Sequence, residues 1–302
     1  MELNFAVIYA PTVQLAQMLK NVCDLTVEAE YGSVVVVGRR YTAAHHQPLG
    51  SEFSGTHVGG QRRAPCNDEN IPKLDAGSVV LVSHLDLDTI GGVLRAADQL
   101  PNVKSFWELA EFVDTKGPHM LGESGASEKD KEFLYAWWAW NAKQPRLGLD
   151  KIEHINGLIE AAGEMLTILL TWGEFSSKRI EFIEEGRKFK QNEAELNAAT
   201  YMNSEGSVII RRTQSERQFV NHLYTIPSSG DVKKGVCTYN PFTGVITISL
   251  AQPVEGVSCR DIVQSLWGPT AGGHDGIAGS PRGQAMTWDE ALFATHALAM
   301  RL

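Results

Sequence analysis

Residues 78 to 92 read Ser78-Val-Val-Leu-Val-Ser-His84-Leu-Asp86-Leu-Asp88-Thr-Ile-Gly91-Gly92. Two carboxylates two residues apart, with an imidazole just before them, form a donor set for a divalent cation. Carboxylate oxygens suit hard ions such as Mg2+ and Mn2+, and an imidazole extends the choice to transition metals. The apolar run before His84 predicts a buried parallel strand, and Val93, Leu94, Ala97 and Leu100 are spaced as on a helix. Asp86 and Asp88 then stand where a strand stops and a helix starts. The same placement also suits a plain helix cap. Gly91 and Gly92 predict a close backbone approach to a ligand, and the helix's first N–H groups offer an anion site.

A second constellation lies near the end: Gly268-Pro-Thr-Ala-Gly272-Gly273-His274-Asp-Gly276-Ile-Ala278-Gly279, after the helical stretch Cys259 to Leu266. Successive small residues expose backbone N–H groups as a nest, and His274 adds a side-chain donor. A glycine turn with an incidental histidine is the other reading.

The elements that must position these groups predict an α/β fold with a mostly parallel sheet in the N-terminal domain. Phe5–Tyr9, Ser33–Gly38 and Ser78–Ser83 are read as strands and Val13–Val22 as a short helix. Residues 41–74 show little periodicity and read as a functional loop or small insertion, in which His45 and His46 face solvent. From Glu128 the pattern is helical, with Ile152, Ile155, Leu158, Ile159, Ala162, Leu166 and Leu169 at helical spacing, then a charged helix over about 177–196. Trp137, Trp138, Trp140 and Trp267 serve either packing or base stacking. Tyr201–Gly206 reads as a linker into a smaller α/β domain with strands at 207–211, 235–239 and 244–250, and Thr287-Trp-Asp-Glu290 is a capping box for a last helix. The expected organisation is a metal-binding domain at 1–127, a helical connection at 128–200 and a substrate-binding domain at 201–302.

Composition narrows the partners. With 36 acidic against 27 basic residues the net charge is −9, which gives no attraction to duplex DNA or to anionic membranes. A small phosphorylated ligand stays compatible, because a metal supplies positive charge locally. Four cysteines without CxxC spacing indicate neither a disulfide framework nor a zinc knuckle and fit a cytoplasmic location. Neither a secretory leader nor a membrane-spanning run is expected.

Asp86-Leu-Asp88-Thr-Ile-Gly91-Gly92 and Gly272-Gly273-His274 with Ala278-Gly279 together resemble the DHH phosphoesterase superfamily. Its N-terminal domain carries an Asp-x-Asp metal motif after a strand, and its C-terminal associated domain ends with a Gly-Gly-His substrate loop. The resemblance spans residues 78–302, with identity confined to the two loops. The name-giving Asp-His-His is absent. Its nearest counterparts are Asp114 with His119, and His45-His46, where Ala44 stands in place of the aspartate and precedes rather than follows the first motif. The resemblance implies one or two Mn2+ ions, with Mg2+ or Co2+ as alternatives, on His84, Asp86, Asp88, Asp114 and His119, and at lower rank His45 and His46. It assigns catalysis to Asp86, Asp88 and His274 through metal-activated water. It assigns phosphate binding to Gly272, Gly273 and His274; Arg260 and Arg282 read either as a bidentate phosphate contact or as ordinary surface arginines.

The implied substrate is a small phosphoester such as a short oligonucleotide, cyclic dinucleotide or nucleoside bisphosphate. A phosphoanhydride hydrolase, a non-catalytic nucleotide- or metal-binding regulator and an unrelated α/β metalloenzyme are the competing readings, and a homodimer is left open.

Overall fold

A computed structural model describes residues 2–32, 34–45 and 63–302; His46 lies outside them. The chain divides into two compact units, 1–114 with 124–189, and 115–123 with 190–302.

The first unit contains β1 (Ala6–Tyr9), α1 (Val13–Leu19), β2 (Leu25–Val27), β3 (Glu30–Tyr31), β4 (Val34–Val35), β5 (Tyr41–Ala43), β6 (Val79–Val82), α2 (Leu87–Ala96), α3 (Lys104–Lys116), α4 (Glu128–Asn141), β7 (Glu153–His154), α5 (Asn156–Thr171) and α6 (Ser177–Gln191), the last turns of α3 and α6 passing into the second unit. Its sheet has the order β5-β2-β6-β1-β7, parallel but for the short edge strand β7. Val7, Leu25, Val27, Val80, Leu81 and Val82 are wholly buried, which is why these strands read as continuous apolar runs. Helix α5 buries Ile159, Ala162, Leu166 and Leu169, as its spacing predicts. Asn156 at its start accepts from the Val7 N–H at 2.8 Å and donates to the Phe5 carbonyl at 2.7 Å, tying the helix to β1.

The strand expected at Ser33–Gly38 is corrected. Among the described residues of that stretch the strand is Val34–Val35, in a hairpin with β3, and Gly32 at φ 65° precedes it. The second parallel strand is Leu25–Val27, and a further one, Tyr41–Ala43, lies in the stretch read as aperiodic. Three residues are too few to show a period.

The second unit contains α7 (Glu193–Thr200), β8 (Tyr201–Glu205), β9 (Val208–Arg212), β10 (Gly235–Asn240), β11 (Val245–Leu250), α8 (Cys259–Trp267), β12 (Gly272–Gly273), β13 (Ile277–Gly279) and α9 (Trp288–Ala299). Its sheet runs β12-β13-β11-β10-β9-β8, with β9 and β10 parallel and every other pair antiparallel. Val208, Cys237, Ile246 and Ile248 meet Ile262 and Val263 of α8 and Ala291, Ala294 and Leu298 of α9 in one buried layer. The Thr287–Glu290 capping box forms at the start of α9.

Contact divides the segment 128–200 otherwise than a free helical connection would: residues up to 189 pack with the first unit and α7 with the second. The single charged helix expected there is two helices, α6 and α7, separated at Asn192. The expected linker Tyr201–Gly206 is the edge strand β8 and its turn, polar because one side faces solvent. Fully buried Arg211 donates to the carbonyls of Asn197, Leu223 and Thr225 at 2.7, 2.8 and 3.0 Å, fastening α7 to the segment after β9. Among the described residues no helix is long and apolar enough to cross a membrane, and the four cysteines are free and buried.

Candidate metal centre

The last aligned rung across three parallel strands is Ala43–Val27–Val82. Just past it the chain carries His45 after β5, Glu28 after β2, and His84, Asp86 and Asp88 after β6. In parallel α/β sheets this carboxyl edge is where ligands bind, because the chain turns away there and leaves a crevice. Asp86 is the N-cap of α2, accepting from the Thr89 N–H at 3.0 Å, so the capping and site readings of that residue coexist. Asp88 follows in the first helical turn, and Asp114 comes from α3.

His45 gathers the acids. Its Nε2 lies 3.0 Å from Asp114 Oδ2, 3.6 Å from Asp88 Oδ2 and 3.8 Å from Glu28 Oε1. One donor atom each of Glu28, His45 and Asp88 fall within 4.8 Å of one another, and so do donors of Asp86, Asp88 and Asp114. His84 stands beside them, with Nε2 at 2.7 Å from Asp86 Oδ2 and Nδ1 at 2.9 Å from Ser83 Oγ. Glu28 holds a left-handed φ of 50°, a costly conformation for a side-chain-bearing residue. Its N–H donates to the Ala43 carbonyl at 2.8 Å and its carbonyl accepts from Ser83, so β5 and β6 together hold the strain.

The electrostatics call for a cation. Glu28 is 0% and Asp88 2% exposed, and burial pushes both carboxyls well above their usual range. The neighbouring charges of Glu30, Asp86 and Asp114 add to this for Glu28, and those of Asp86, Asp114 and Glu28 for Asp88. Burial works against Asp86 too, but His84 and hydrogen bonds from Asp88 and Thr89 hold that carboxyl well below its usual range. Burial opposes the charged form of His45, yet the bond to Asp114 and the charges around it raise it. The Asp88 Oδ2 makes no hydrogen bond among the described residues. Crowded like charges in a buried place are unfavourable until a positive ion joins them. Carboxylate oxygens with an imidazole fit Mn2+, Mg2+ or a similar ion.

The outcome differs from the sequence reading at several residues. His45 is not a solvent-facing loop residue: its side chain is 3% exposed because β5 delivers it to the crevice. Glu28 went unread because its role depends on the register of β2 against β6; the readable signal was Leu-Thr-Val followed by an acid. His119, expected as a ligand, belongs to the second unit. Gly117, at φ 90°, ends α3 within that unit, and the Nε2 of His119 donates to the Ala251 carbonyl at 2.8 Å.

Gly272, Gly273 and His274 also lie in the second unit, and the open nest expected there is a tight hairpin. The His274 N–H is spent on the Ile277 carbonyl at 2.7 Å. Gly273 sits at φ 142°, and a Cβ on it would fall 2.5 Å from the Ile277 carbonyl oxygen, so only glycine lets β12 fold onto β13. Arg260 pairs with Asp275 at 2.8 Å next to His274, and Arg282 is on an exposed turn.

No family model matches the sequence, and no curated protein matches it significantly. Among solved structures the chain is similar to the pGpG-specific phosphodiesterase PggH from Vibrio cholerae, at 12% identity and TM-score 0.38, over 76% of this chain and 81% of that one. It is similar to RecJ from Thermus thermophilus in complex with Mn2+, at 12% identity and TM-score 0.41, over 96% of this chain but only 47% of RecJ. An uncharacterized protein from Helicobacter pylori matches at 7% identity and TM-score 0.23, over 78% of each chain.

Gly91 and Gly92 serve packing rather than the ligand approach expected of them. A Cβ on Gly91 would lie 2.4 Å from Cys66 Cβ, and one on Gly92 would lie 2.6 Å from Pro65 Cβ. They let α2 close on residues 65–67. That turn is clamped in addition by Arg95 donating to the Cys66 carbonyl at 2.6 Å and by Asn67 donating to the Trp107 carbonyl at 2.9 Å and to Glu111 at 2.7 Å. The clamp sets Asp88 on α2 against Asp114 on α3. Gly91→Ala is therefore expected to cost about 1–3 kcal/mol by overpacking, read as a lower urea midpoint, and to weaken metal binding at the same time.

Proposed function

We propose that this chain is a divergent member of the DHH phosphoesterase superfamily, a metal-dependent hydrolase of a small phosphoester. The observation that carries the reading is the convergence of Glu28, His45, Asp86, Asp88 and Asp114 at the carboxyl edge of three adjacent parallel strands. Glu28, His45 and Asp88 would hold one ion and Asp86, Asp88 and Asp114 a second, with Mn2+ the first choice. Bound there, a divalent cation supplies Lewis acidity toward phosphoryl oxygens and a nucleophile at neutral pH.

The chain's own groups prepare that chemistry. His84 orients the Asp86 carboxylate, and His45 beside Asp114 at 3.0 Å supplies the aspartate–histidine pairing that no contiguous triplet provides. In this reading the His274 side chain, rather than the closed backbone of its hairpin, is the donor offered to a substrate phosphate. An acidic chain favours a short ligand over a long strand. Buried free thiols suit a cytoplasmic enzyme.

The test is a Mn2+-dependent hydrolysis screen over short linear dinucleotides including pGpG, cyclic dinucleotides, nucleoside bisphosphates and pyrophosphate. Turnover of a phosphoester, lost on chelation and restored by Mn2+, is expected. Turnover of pyrophosphate alone would move the assignment to phosphoanhydrides. Stoichiometric metal binding with no turnover of any member would make the protein a metal-binding regulator.

A further inference from the structure

Ser83, the residue just after β6, stands between two members of the metal centre. It is only 1% exposed, and its hydroxyl touches both the Glu28 carbonyl and the Nδ1 of His84, the latter at 2.9 Å. A serine hydroxyl owns one hydrogen and two lone pairs, whereas a carbonyl can only accept. The hydrogen therefore goes to Glu28. What Oγ has left for His84 is a lone pair, so Nδ1 carries a hydrogen and donates it to Ser83. Both ring nitrogens of His84 face oxygen atoms, which settles the orientation of the ring.

The state of the other nitrogen follows. The Nε2 of His84 lies 2.7 Å from Asp86 Oδ2. A neutral imidazole has one hydrogen, and with that hydrogen on Nδ1 the Nε2 turns a lone pair toward a carboxylate oxygen that also carries lone pairs. Two such atoms repel unless they share a positive centre, which is how neighbouring ligands of one cation stand. The His84 and Asp86 side chains are 23% and 40% exposed, against 0% for Glu28 and 2% for Asp88, so this pair is the part of the centre that solvent reaches.

We propose that Ser83 is a positioning residue: by giving its hydroxyl hydrogen to Glu28 it fixes the ring hydrogen of His84 on Nδ1 and keeps Nε2 open to the divalent ion beside Asp86. This rests on the metal reading above and adds to it the residue that sets the His84 tautomer. Without the hydroxyl, Nδ1 loses its acceptor. The ring hydrogen then moves to Nε2, where it bonds Asp86 and closes the position to metal. Hydrogen-bond partners behind a ligating imidazole act in this way, fixing which nitrogen is free. The single hydroxyl also links the end of β2, through the Glu28 carbonyl, to the residue that opens the Asp86 loop. A serine that only tied β6 to β2 would leave the ring hydrogen of His84 where it is.

The ring is read on the metal-free full chain by 1H–15N NMR at a pH where His84 is neutral, and Mn2+ affinity is read by calorimetry. The parent should carry its hydrogen on Nδ1. In Ser83→Ala the hydrogen should appear on Nε2, and Mn2+ affinity should fall about 10–100-fold. Ser83→Thr, which keeps the hydroxyl, should hold the tautomer and stay within about threefold of the parent's affinity. Because the ring is read without metal, the two failures are distinct. A parent that binds no Mn2+ would overturn the metal reading. A neutral parent ring with its hydrogen on Nε2, or a Ser83→Ala variant with tautomer and Mn2+ affinity both unchanged, would overturn the assignment of Ser83.

Discussion

Asp88→Asn should reduce Mn2+-dependent hydrolysis by about a thousandfold or more while leaving the metal-free protein folded. Asp88 is the only residue shared by both donor groups, and its side chain is almost completely buried. Asparagine keeps its shape but carries no charge, so the variant loses a carboxylate ligand without opening a cavity. Losing several kcal/mol of metal-borne stabilisation of the transition state corresponds to about three powers of ten in rate. The metal-free variant should be at least as stable as the parent, since burial and three neighbouring acids already oppose the charged form of Asp88. This pairing of lost activity with kept stability separates a ligand from a structural acid. Asp150→Asn, the same charge change on an exposed turn, serves as control. The measurement is kcat/KM against Mn2+ concentration together with a urea midpoint; turnover within tenfold of the parent at equal Mn2+ affinity would remove the centre.

What could be read without coordinates follows the length of each signal. Strands β1 and β6, helix α5, the strands β9 to β11 and the capped final helix carry four or more patterned residues, and each appears close to where the pattern puts it. Asp86 and Asp88 stood out because a strand end, two acids and a glycine pair fall within a few consecutive positions. Glu28 and His45 did not, since their meaning lies in the rung Ala43–Val27–Val82, a relation between segments that are far apart in the chain. The valine run at 34–37 outweighed Leu-Thr-Val because strand preference counts residue types and cannot count sheet neighbours. Misplacing the second strand hid the acid at its end. Gly91 and Gly92 show the same limit: a glycine pair signals close approach, and only packing shows that the approaching body is Pro65 and Cys66.

The same crowding predicts how metal and pH act on stability. A saturating divalent ion should raise the unfolding temperature of the first unit, and by more at pH 7.5 than at pH 5.5. Glu28 and Asp88 have folded-state values raised above the ordinary carboxylate range of about 4. Their stabilising contribution is full below that range and is lost as pH rises through the raised values. His45, raised mainly by Asp114 against the effect of burial, loses its contribution in the same direction. Asp86, held low, works oppositely: its contribution is present above about pH 4 and is lost only as pH falls further. Between pH 5.5 and 7.5 Asp86 is thus constant and the metal-free protein weakens. Metal binding requires the deprotonated carboxylates and a neutral imidazole, so its affinity rises over the same interval. At a hundred times the dissociation constant the ion contributes about 2.7 kcal/mol, or roughly 5–10 °C for a unit of this size. Trp107 and Trp137, buried in the first unit, report the transition by fluorescence. A shift equal at both pH values, or a metal-free protein that gains stability across the interval, would show that these acids do not face a shared ion.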